Sequence, residues 1–150
     1  MGRARQPRRE GGNMTQKKVF ALLAFDRDDS LEDLRLLLKA QAIETWTART
    51  CEEVVRLLDQ TQPELIFTGK RLFDGTWIDI VDLTEKAHAP TNVIVVGECE
   101  DARLSLSTMQ YGAFDFIFPP FEAGAMAHLM RVAAENIRRR REEQAVNAVA

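Results

Sequence analysis

Short apolar runs alternate with helical stripes along this chain, and this alternation constrains the fold more than any other feature. The first run, residues 19–25, is apolar throughout, so it predicts a strand that is buried on both faces of a parallel sheet. Four later segments are also predicted to be strands, at residues 45–48, 65–67, 93–96 and 114–118.

Helix signals lie between and after these runs. Leucines at helical spacing follow Ser30, a predicted N-cap, and Thr50 with Glu53 has the spacing of a capping box that begins the second helix. The fourth helix is predicted to end at Gly112, because glycine favours the left-handed conformation of a helix end. The fifth helix extends past Arg141.

Five strands that alternate with five helices predict an α/β fold in which helices cover both faces of a parallel sheet. Right-handed crossovers give the flavodoxin-like, doubly wound strand order 2-1-3-4-5. Ligands of such folds bind at the carboxyl ends of the strands, so the residues that follow each strand matter most for function. Residues 73–75, after the third strand, are predicted to form a turn.

The length and charge of the chain limit its organisation and its partners. Its 150 residues accommodate one domain, which we place at residues 14–137, with residues 138–150 as a helical extension of the last helix. Residues 1–13 form a basic tail that is either disordered or precedes a true start at Met14. The net charge of −3 argues against a nucleic-acid or membrane partner, and two cysteines outside any metal-binding pattern indicate a cytoplasmic protein.

Four segments carry a resemblance to a known family. They are residues 63–67 and 71–75, residues 110–116, and the pair Pro120 and Phe121. In these segments the chain resembles the receiver domain of bacterial response regulators, and the match extends without gaps over about residues 17–137. The resemblance implies the same fold and a role in two-component, or phosphorelay, signal transduction.

The resemblance also shows where the chemistry of the family is missing. In receiver domains, two acids after the first strand and an aspartate at the end of the third hold Mg²⁺, and that aspartate accepts the phosphoryl group. A hydroxyl after the fourth strand and a lysine after the fifth bind the phosphoryl oxygens. Here the first acid is kept as Asp26, and the other positions hold Arg27 (second acid), Gly69 (acceptor), Gly97 (hydroxyl) and Pro119 (lysine). The aromatic switch residue that the family has in the fifth strand is kept as Phe116, without the hydroxyl of a tyrosine. We therefore expect no Mg²⁺ site, no other cofactor and no catalytic residue, so that the protein is not an enzyme.

Several of these positions have more than one interpretation. If Asp28 turns inward, it forms a remnant acidic pocket with Asp26. Arg27 either takes the place of the metal ion or is an exposed arginine beside a helix N-terminus. The side chains missing at Gly69 and Gly97 leave either a small apolar hollow or space that neighbouring side chains fill.

Three further features receive structural interpretations. The basic run 138–141 is predicted to be a solvated helix end that forms ion pairs with Glu142 and Glu143. Cys51 lies just inside the N-terminus of the second helix, where a thiolate is favoured, but no partner for nucleophilic catalysis is near it in the sequence. The cis or trans state of the peptide bond before Pro120 stays open.

The preferred hypothesis is a degenerate receiver, or pseudo-receiver, that signals independently of phosphorylation by binding protein partners. By resemblance, its contact face is formed by the fourth helix, the fifth strand and the fifth helix, and a homodimer is one expected form. The alternative is a response regulator that accepts a phosphoryl group at a non-standard acidic site. A flavodoxin-like cofactor binder is disfavoured, because Asp26, Arg27 and Asp28 do not make a phosphate-binding loop.

Overall fold

A computed structural model describes residues 19–28 and 31–149 of the chain. The predicted cap Ser30 and the predicted tail at residues 1–13 lie outside the described residues. No helix in the described part of the chain is long and apolar enough to span a bilayer. The elements in chain order are β1 (Phe20–Ala24), α1 (Leu31–Ala40), β2 (Glu44–Ala48), α2 (Cys51–Thr61), β3 (Leu65–Thr68), β4 (Arg71–Leu72), β5 (Gly75–Thr76), α3 (Trp77–Glu85), β6 (Asn92–Val96), α4 (Ala102–Tyr111), β7 (Asp115–Ile117) and α5 (Ala123–Val149).

Five of the strands form one parallel sheet in the order β2-β1-β3-β6-β7. In this sheet Leu22 of β1 lies between Trp46 of β2 and Ile66 of β3. Every residue of β1, β3 and β6 is buried, as expected for strands that helices cover on both faces. The predicted flavodoxin-like fold and strand order are confirmed. Strands β4 and β5 form a separate antiparallel hairpin around the predicted turn.

Two apolar layers cover the sheet, one on each face. Consecutive residues of a strand point to opposite faces, so Ile66 and Phe67 belong to different layers. Ile66 packs in the layer that contains Leu57 of α2 and Ile80 of α3, whereas Phe67 packs in the layer that contains Leu34 of α1. Because both faces are covered, the carboxyl ends of the strands are the place where a site can form.

Local sequence signals set the ends of two helices. Thr50 Oγ1 accepts a hydrogen bond from the N–H of Glu53 at 3.1 Å, which caps α2 as predicted. In a capping box the Glu53 carboxylate would accept the N–H of the N-cap residue, Thr50. Here it accepts the N–H of the preceding residue, Arg49, at 2.9 Å. Gly112 ends α4 with a φ of 127°, a conformation that strongly favours glycine.

The last helix differs from its prediction in its C-terminal part. The basic run is a solvated helix end only in part: Arg138 and Arg139 are exposed, whereas Arg141 donates to the carbonyl of Pro63 at 2.7 Å and Arg140 donates to Asn92 Oδ1 at 2.7 Å. Farther along, Gln144 donates to a backbone carbonyl of the α3–β6 loop at 3.0 Å. Acceptors at the amino ends of the strands thus bind α5 well past the predicted domain boundary, and sequence spacing does not show these acceptors.

Candidate functional site

An open pocket of about 330 Å³ lies at the carboxyl edge of the sheet, where sites of this fold class form. The segments that follow β1, β3 and β6 contribute to it. Its walls combine two apolar side chains, two glycines, three cations and two acids, namely Phe25, Val96, Gly69, Gly97, Arg27, Lys70, Arg71, Asp26 and Glu98. The pocket is therefore charged, in contrast to the apolar hollow that was one of the two predictions.

Gly69 follows β3 at the position of the expected phosphoryl acceptor. A Cβ atom at this position would lie 3.1 Å from Cδ2 of Phe25, so the aromatic ring lies directly against the glycine. The Gly69 N–H donates to the Ala24 carbonyl at 3.0 Å, which holds the loop to β1. Position 69 carries no group that can be phosphorylated, and Phe25 restricts the space in which a larger side chain would extend.

Gly97 follows β6 at the position of the expected hydroxyl. A Cβ atom here would lie 2.5 Å from Cζ and 3.0 Å from Cε1 of Phe116. Packed atoms do not approach this closely, so the ring of Phe116 already occupies the space of a side chain at position 97. Phe116 itself is buried. At this position the space left by the missing side chain is filled by a neighbour, as the second of the two predictions states.

The two acids predicted to form a remnant pocket are not brought together. Asp26 is half-buried and lines the pocket, whereas Asp28 is exposed and lies outside the lining. Asp28 Oδ1 accepts a hydrogen bond from Arg49 Nη2 at 2.5 Å, and Arg49 Nη1 also donates to the carbonyl of Phe25 at 3.3 Å. Because Arg49 binds it, Asp28 does not turn into the pocket.

Arg27 lines the pocket as an exposed side chain. Among the residues that the structure describes, no ion pair joins Arg27 to Asp26. The arrangement in which the guanidinium takes the place of the metal ion would need that pair. The placement therefore agrees with the other interpretation of Arg27, an exposed arginine near the start of α1.

The donor groups around the pocket do not fit Mg²⁺. This ion is held through carboxylates and waters in near-octahedral geometry. The lining offers Asp26 and an exposed Glu98, and it places three cations beside them. Within residues 19–28 and 31–149, no group of three or more histidine, cysteine or carboxylate side chains is arranged to hold a metal ion.

The hairpin after β3 caps the neighbouring helix α2. Asp74 Oδ1 accepts the N–H of Cys51 at 2.6 Å, and its Oδ2 accepts the N–H of Glu52 at 3.3 Å. These hydrogen bonds lower the pKa of Asp74. Burial, together with the charge of Asp74, raises the pKa of the Cys51 thiol to about 11. The prediction that this helix end favours a thiolate was wrong, because the thiol is partly buried and a carboxylate occupies the same helix end.

The loop after β7 contributes no residue to the lining of the pocket. Pro119, at the position of the expected lysine, is joined to Pro120 by a cis peptide bond. The ring of Trp77, at the start of α3, packs edge-on against Tyr111 with 5.7 Å between the ring centroids. Tyr111 Oη donates to Asp82 Oδ1 at 2.8 Å, which joins α4 to α3.

Proteins similar to this chain are response regulators and receiver domains. No protein-family model matches the chain. The response regulator protein PilR of Pseudomonas aeruginosa is 29% identical over 113 residues, which are 75% of this chain and 25% of PilR. The signal receiver domain of a LuxO repressor protein from Vibrio parahaemolyticus superposes with a TM-score of 0.71 at 20% identity, over 81% of this chain and 94% of that one. The fold is that of a response-regulator receiver domain.

A receiver domain that was solved as a dimer is also similar. The beryllofluoride-activated NtrC4 receiver domain superposes with a TM-score of 0.69 at 19% identity, over 79% of this chain and 98% of that one. The chain spans about a quarter of the length of the curated relatives that it matches. The predicted resemblance to receiver domains is confirmed.

Three residues that line the pocket at the carboxyl edge were given no role in the sequence analysis. They are Lys70, Arg71 and Glu98, which directly follow the two glycines at the ends of β3 and β6. Charged residues immediately after buried strands were the available signal, because strand ends of this fold form the site. The direction in which each side chain extends required the structure.

Proposed function

We propose that this receiver domain signals by binding other proteins, without accepting a phosphoryl group. The observation that carries the proposal is the pair of glycines at the strand ends, each with an aromatic ring against it: Phe25 at Gly69 and Phe116 at Gly97. A receiver that accepts a phosphoryl group has a carboxylate at the first of these positions and a hydroxyl at the second. Here neither position carries a reactive group.

The surrounding charges support binding rather than chemistry. Phosphoryl transfer requires an acceptor and cations that neutralise the charge of the transferred group, and a metal ion usually supplies part of that charge. Position 69 has no acceptor, and Asp26 with Glu98 is a poor ligand set for Mg²⁺. We therefore propose that the protein is not an enzyme and uses no metal cofactor.

The position of Phe116 supports a signalling state that does not depend on modification. Its ring is buried against Gly97. Because Gly97 has no side chain, the ring occupies this space without the movement of a neighbouring hydroxyl group. In a close-packed interior, a ring keeps its position unless the neighbouring space changes. The domain is then held in one arrangement at this switch, with or without a phosphate donor.

The proposed contact face consists of α4, β7 and α5. Leu106 and Met109 of α4 are 59% and 45% exposed, and Val132 of α5 is exposed as well. Leu106 and Met109 are three residues apart, so they share one side of the helix. Exposed apolar side chains that lie together are typical of protein contact surfaces. A second copy of this chain is one proposed partner, and the NtrC4 receiver domain dimer supports that form.

Incubation with acetyl phosphate and Mg²⁺, followed by intact-mass measurement, tests the absence of phosphorylation. We expect the mass to stay unmodified, while a receiver with a complete site gains a phosphoryl group under the same conditions. The alternative function is a response regulator that uses Asp26, the half-buried carboxylate of the pocket, as its acceptor. An adduct that forms in the native chain but not in Asp26→Asn would establish this alternative and overturn the proposal.

The contact face is tested by charge substitutions on α4. We expect Leu106→Glu combined with Met109→Glu to weaken self-association in sedimentation velocity or partner capture in a pull-down. Val55→Glu on α2 is the matched control, because Val55 is similarly exposed but lies outside the face. Equal binding by the two variants would remove α4 from the contact face. Phe116 is unsuitable for this test, since its buried ring supports packing rather than contact.

A further inference from the structure

We infer that the pocket at the carboxyl edge reversibly binds a small organic molecule through an oxyanion group, either a phosphate or a carboxylate. Three cations in the lining carry the inference: Arg27, Lys70 and Arg71. They face two acids, Asp26 and Glu98, so the lining has a formal excess of one positive charge. A cavity with this excess attracts anions and disfavours a divalent cation.

The three cations are available to a ligand. Among the described residues, none of them forms an ion pair. The paired arginines of the described residues are elsewhere: Arg35 binds Glu32, Arg49 binds Asp28, and Arg141 binds Glu64. Two of the available cations are arginines, whose planar guanidinium groups match the geometry of phosphate and carboxylate oxygens.

The pocket has room for more than an isolated ion. Its volume of about 330 Å³ lies at the lower end of the range of small-molecule sites. Gly69 and Gly97 place no side chain in it, and Phe25 with Val96 provides an apolar surface next to the charged groups. A ligand of matching chemistry has one oxyanion group and a short carbon skeleton. The volume favours a metabolite of this size over a larger molecule such as a nucleotide.

The ligand is bound and released without transfer of any group. In this respect the inference rests on the proposed function, in which no residue accepts a phosphoryl group. It adds a means of regulation, because occupation of the pocket would bridge the loops after β1, β3 and β6. Binding at this edge would thus join these loops to one another, while the ring of Phe116 keeps its position against Gly97.

Amide resonances of the full chain report on the binding. Glycerol 3-phosphate and succinate are titrated separately, each at constant ionic strength maintained with KCl, and a KCl titration is the reference. We expect saturable shifts at Gly69, Lys70 and Gly97 with at least one of the two anions and no saturable shift with KCl. The phosphate and carboxylate arms show which oxyanion the pocket prefers.

Charge variants test whether the cations form the site. We expect Arg27→Glu and Arg71→Glu each to weaken binding by about tenfold, because a reversed charge replaces attraction by repulsion. Asp26→Asn removes one of the two acids and is expected to tighten binding severalfold. Arg56→Glu is the matched control, since Arg56 is exposed on α2 and does not line this pocket. The amide spectrum of each variant also reports whether it is folded.

Three outcomes would overturn the inference. The first is the absence of saturable shifts with both anions, and the second is equal binding by Arg27→Glu, Arg71→Glu and Arg56→Glu. The third is a saturable response of the pocket amides to Mg²⁺ in place of the anions. Intact mass after incubation with acetyl phosphate separates this inference from the proposed function. An unmodified chain that binds no anion would contradict only the inference, whereas a phosphoryl adduct would contradict the proposed function.

Discussion

Two acid–arginine pairs lie at opposite edges of the sheet, and they differ in distance and in burial. At the amino edge, Arg141 Nη1 lies 3.8 Å from Glu64 Oε2, and the two side chains are 23% and 11% exposed. At the carboxyl edge, Arg49 Nη2 lies 2.5 Å from Asp28 Oδ1, but those side chains are 36% and 79% exposed. Water weakens the interaction of exposed charges far more than that of part-buried charges. The Arg141–Glu64 pair, although its atoms lie farther apart, is therefore expected to contribute more to stability.

Polar residues at the amino edge form a network around the Arg141–Glu64 pair. Glu64 Oε1 accepts the N–H of Phe20 at 2.9 Å. Asn92 donates to the carbonyl of Ala133 at 3.1 Å and accepts from Arg140 at 2.7 Å. The hydrogen bonds of Asn92 attach α5 to β6. The carboxyl edge leaves three cations without ion pairs to described residues, so one edge maintains the fold while the other presents charge to a ligand.

Arg141→Ala is the substitution with the largest expected effect. It removes one partner of Glu64 and the hydrogen bonds that Arg141 donates to backbone carbonyls, including that of Pro63. We expect the free energy of unfolding to fall by about 3 kcal/mol, since these interactions involve a charged group that is largely shielded from water. Urea unfolding measures this loss.

Arg139→Ala is the matched control for the amino edge. Arg139 is exposed on the same helix, so its removal is expected to change the free energy of unfolding by less than about 0.5 kcal/mol. Equal losses for Arg141→Ala and Arg139→Ala would mean that the network at the amino edge does not stabilise the fold, and the contrast between the edges would disappear.

Gly97→Ala is expected to have the second largest effect. The new Cβ would lie 2.5 Å from Cζ of Phe116, so the ring or the loop has to move. Overpacking of this kind costs about 2 kcal/mol. Gly69→Ala is the graded comparison, because its Cβ would lie 3.1 Å from the Phe25 ring and needs a smaller adjustment. Urea unfolding of both variants should place Gly97→Ala well below Gly69→Ala in stability.

A second substitution shows whether the Phe116 ring is the cause. In a Phe116→Leu background, Gly97→Ala is expected to cost less than in the native chain, because the atom that it meets is gone. An unchanged cost would assign the effect to the backbone at position 97 and not to the ring. The proposed single arrangement of the switch would then lose its physical basis.

Asp74→Ala is expected to change a local protonation equilibrium at the carboxyl edge. After burial, the charge of Asp74 is the largest cause that raises the pKa of Cys51 to about 11, so its removal should lower that pKa while burial keeps part of the shift. The rate of thiol alkylation against pH, measured in a Cys99→Ser background, gives the midpoint. Asp59→Ala, an exposed acid on α2, is the control and should leave the midpoint unchanged.

The same substitution affects acid stability in a defined direction. Hydrogen bonds from the backbone of Cys51 and Glu52 lower the pKa of Asp74. Their contribution to folding is therefore present above the ordinary pKa of the carboxyl group and is lost as the pH falls through the lowered value. Asp74→Ala should remove this part of the acid dependence. A native-like acid dependence in the variant would contradict the capping role of Asp74.

Features that depend on neighbours in the sequence could be predicted. The continuous run at residues 19–25 indicated a buried strand, and Thr50 and Gly112 indicated helix ends, because each signal lies within a few residues. The interpretation of the glycines at positions 69 and 97 as departures from the receiver pattern rests on the resemblance and stays a prediction.

Hydrogen bonds between residues that lie far apart in the sequence could not be predicted. Arg49 and Asp28 are 21 residues apart, and Cys51 and Asp74 are 23 residues apart. Arg141 and Pro63 are separated by 78 residues. Which side chain reaches which acceptor depends on the direction of each loop, and residue type does not determine that direction. The charged lining of the pocket belongs to the same class of features.

Asp28→Asn is expected to have the smallest effect on stability. Asparagine keeps the size of the side chain and an oxygen that can accept the hydrogen bond from Arg49, so mainly the charge is removed. We expect the free energy of unfolding to change by no more than about 0.5 kcal/mol, because the pair is exposed. The difference should shrink further at high KCl, where ions screen exposed charges. Urea unfolding at low and high salt measures both values.

Glu64→Gln makes the same change of charge at the amino edge and completes the comparison. We expect it to cost more than Asp28→Asn and to keep its cost at high salt, because Glu64 and Arg141 are largely shielded from water. The Glu64–Arg141 pair would then contribute more to stability than the Asp28–Arg49 pair, although its atoms lie farther apart, at 3.8 Å against 2.5 Å. If Asp28→Asn cost as much as Glu64→Gln, burial would not determine the contribution of the two pairs, and the carboxyl edge would be as much a part of the stabilising structure as the amino edge.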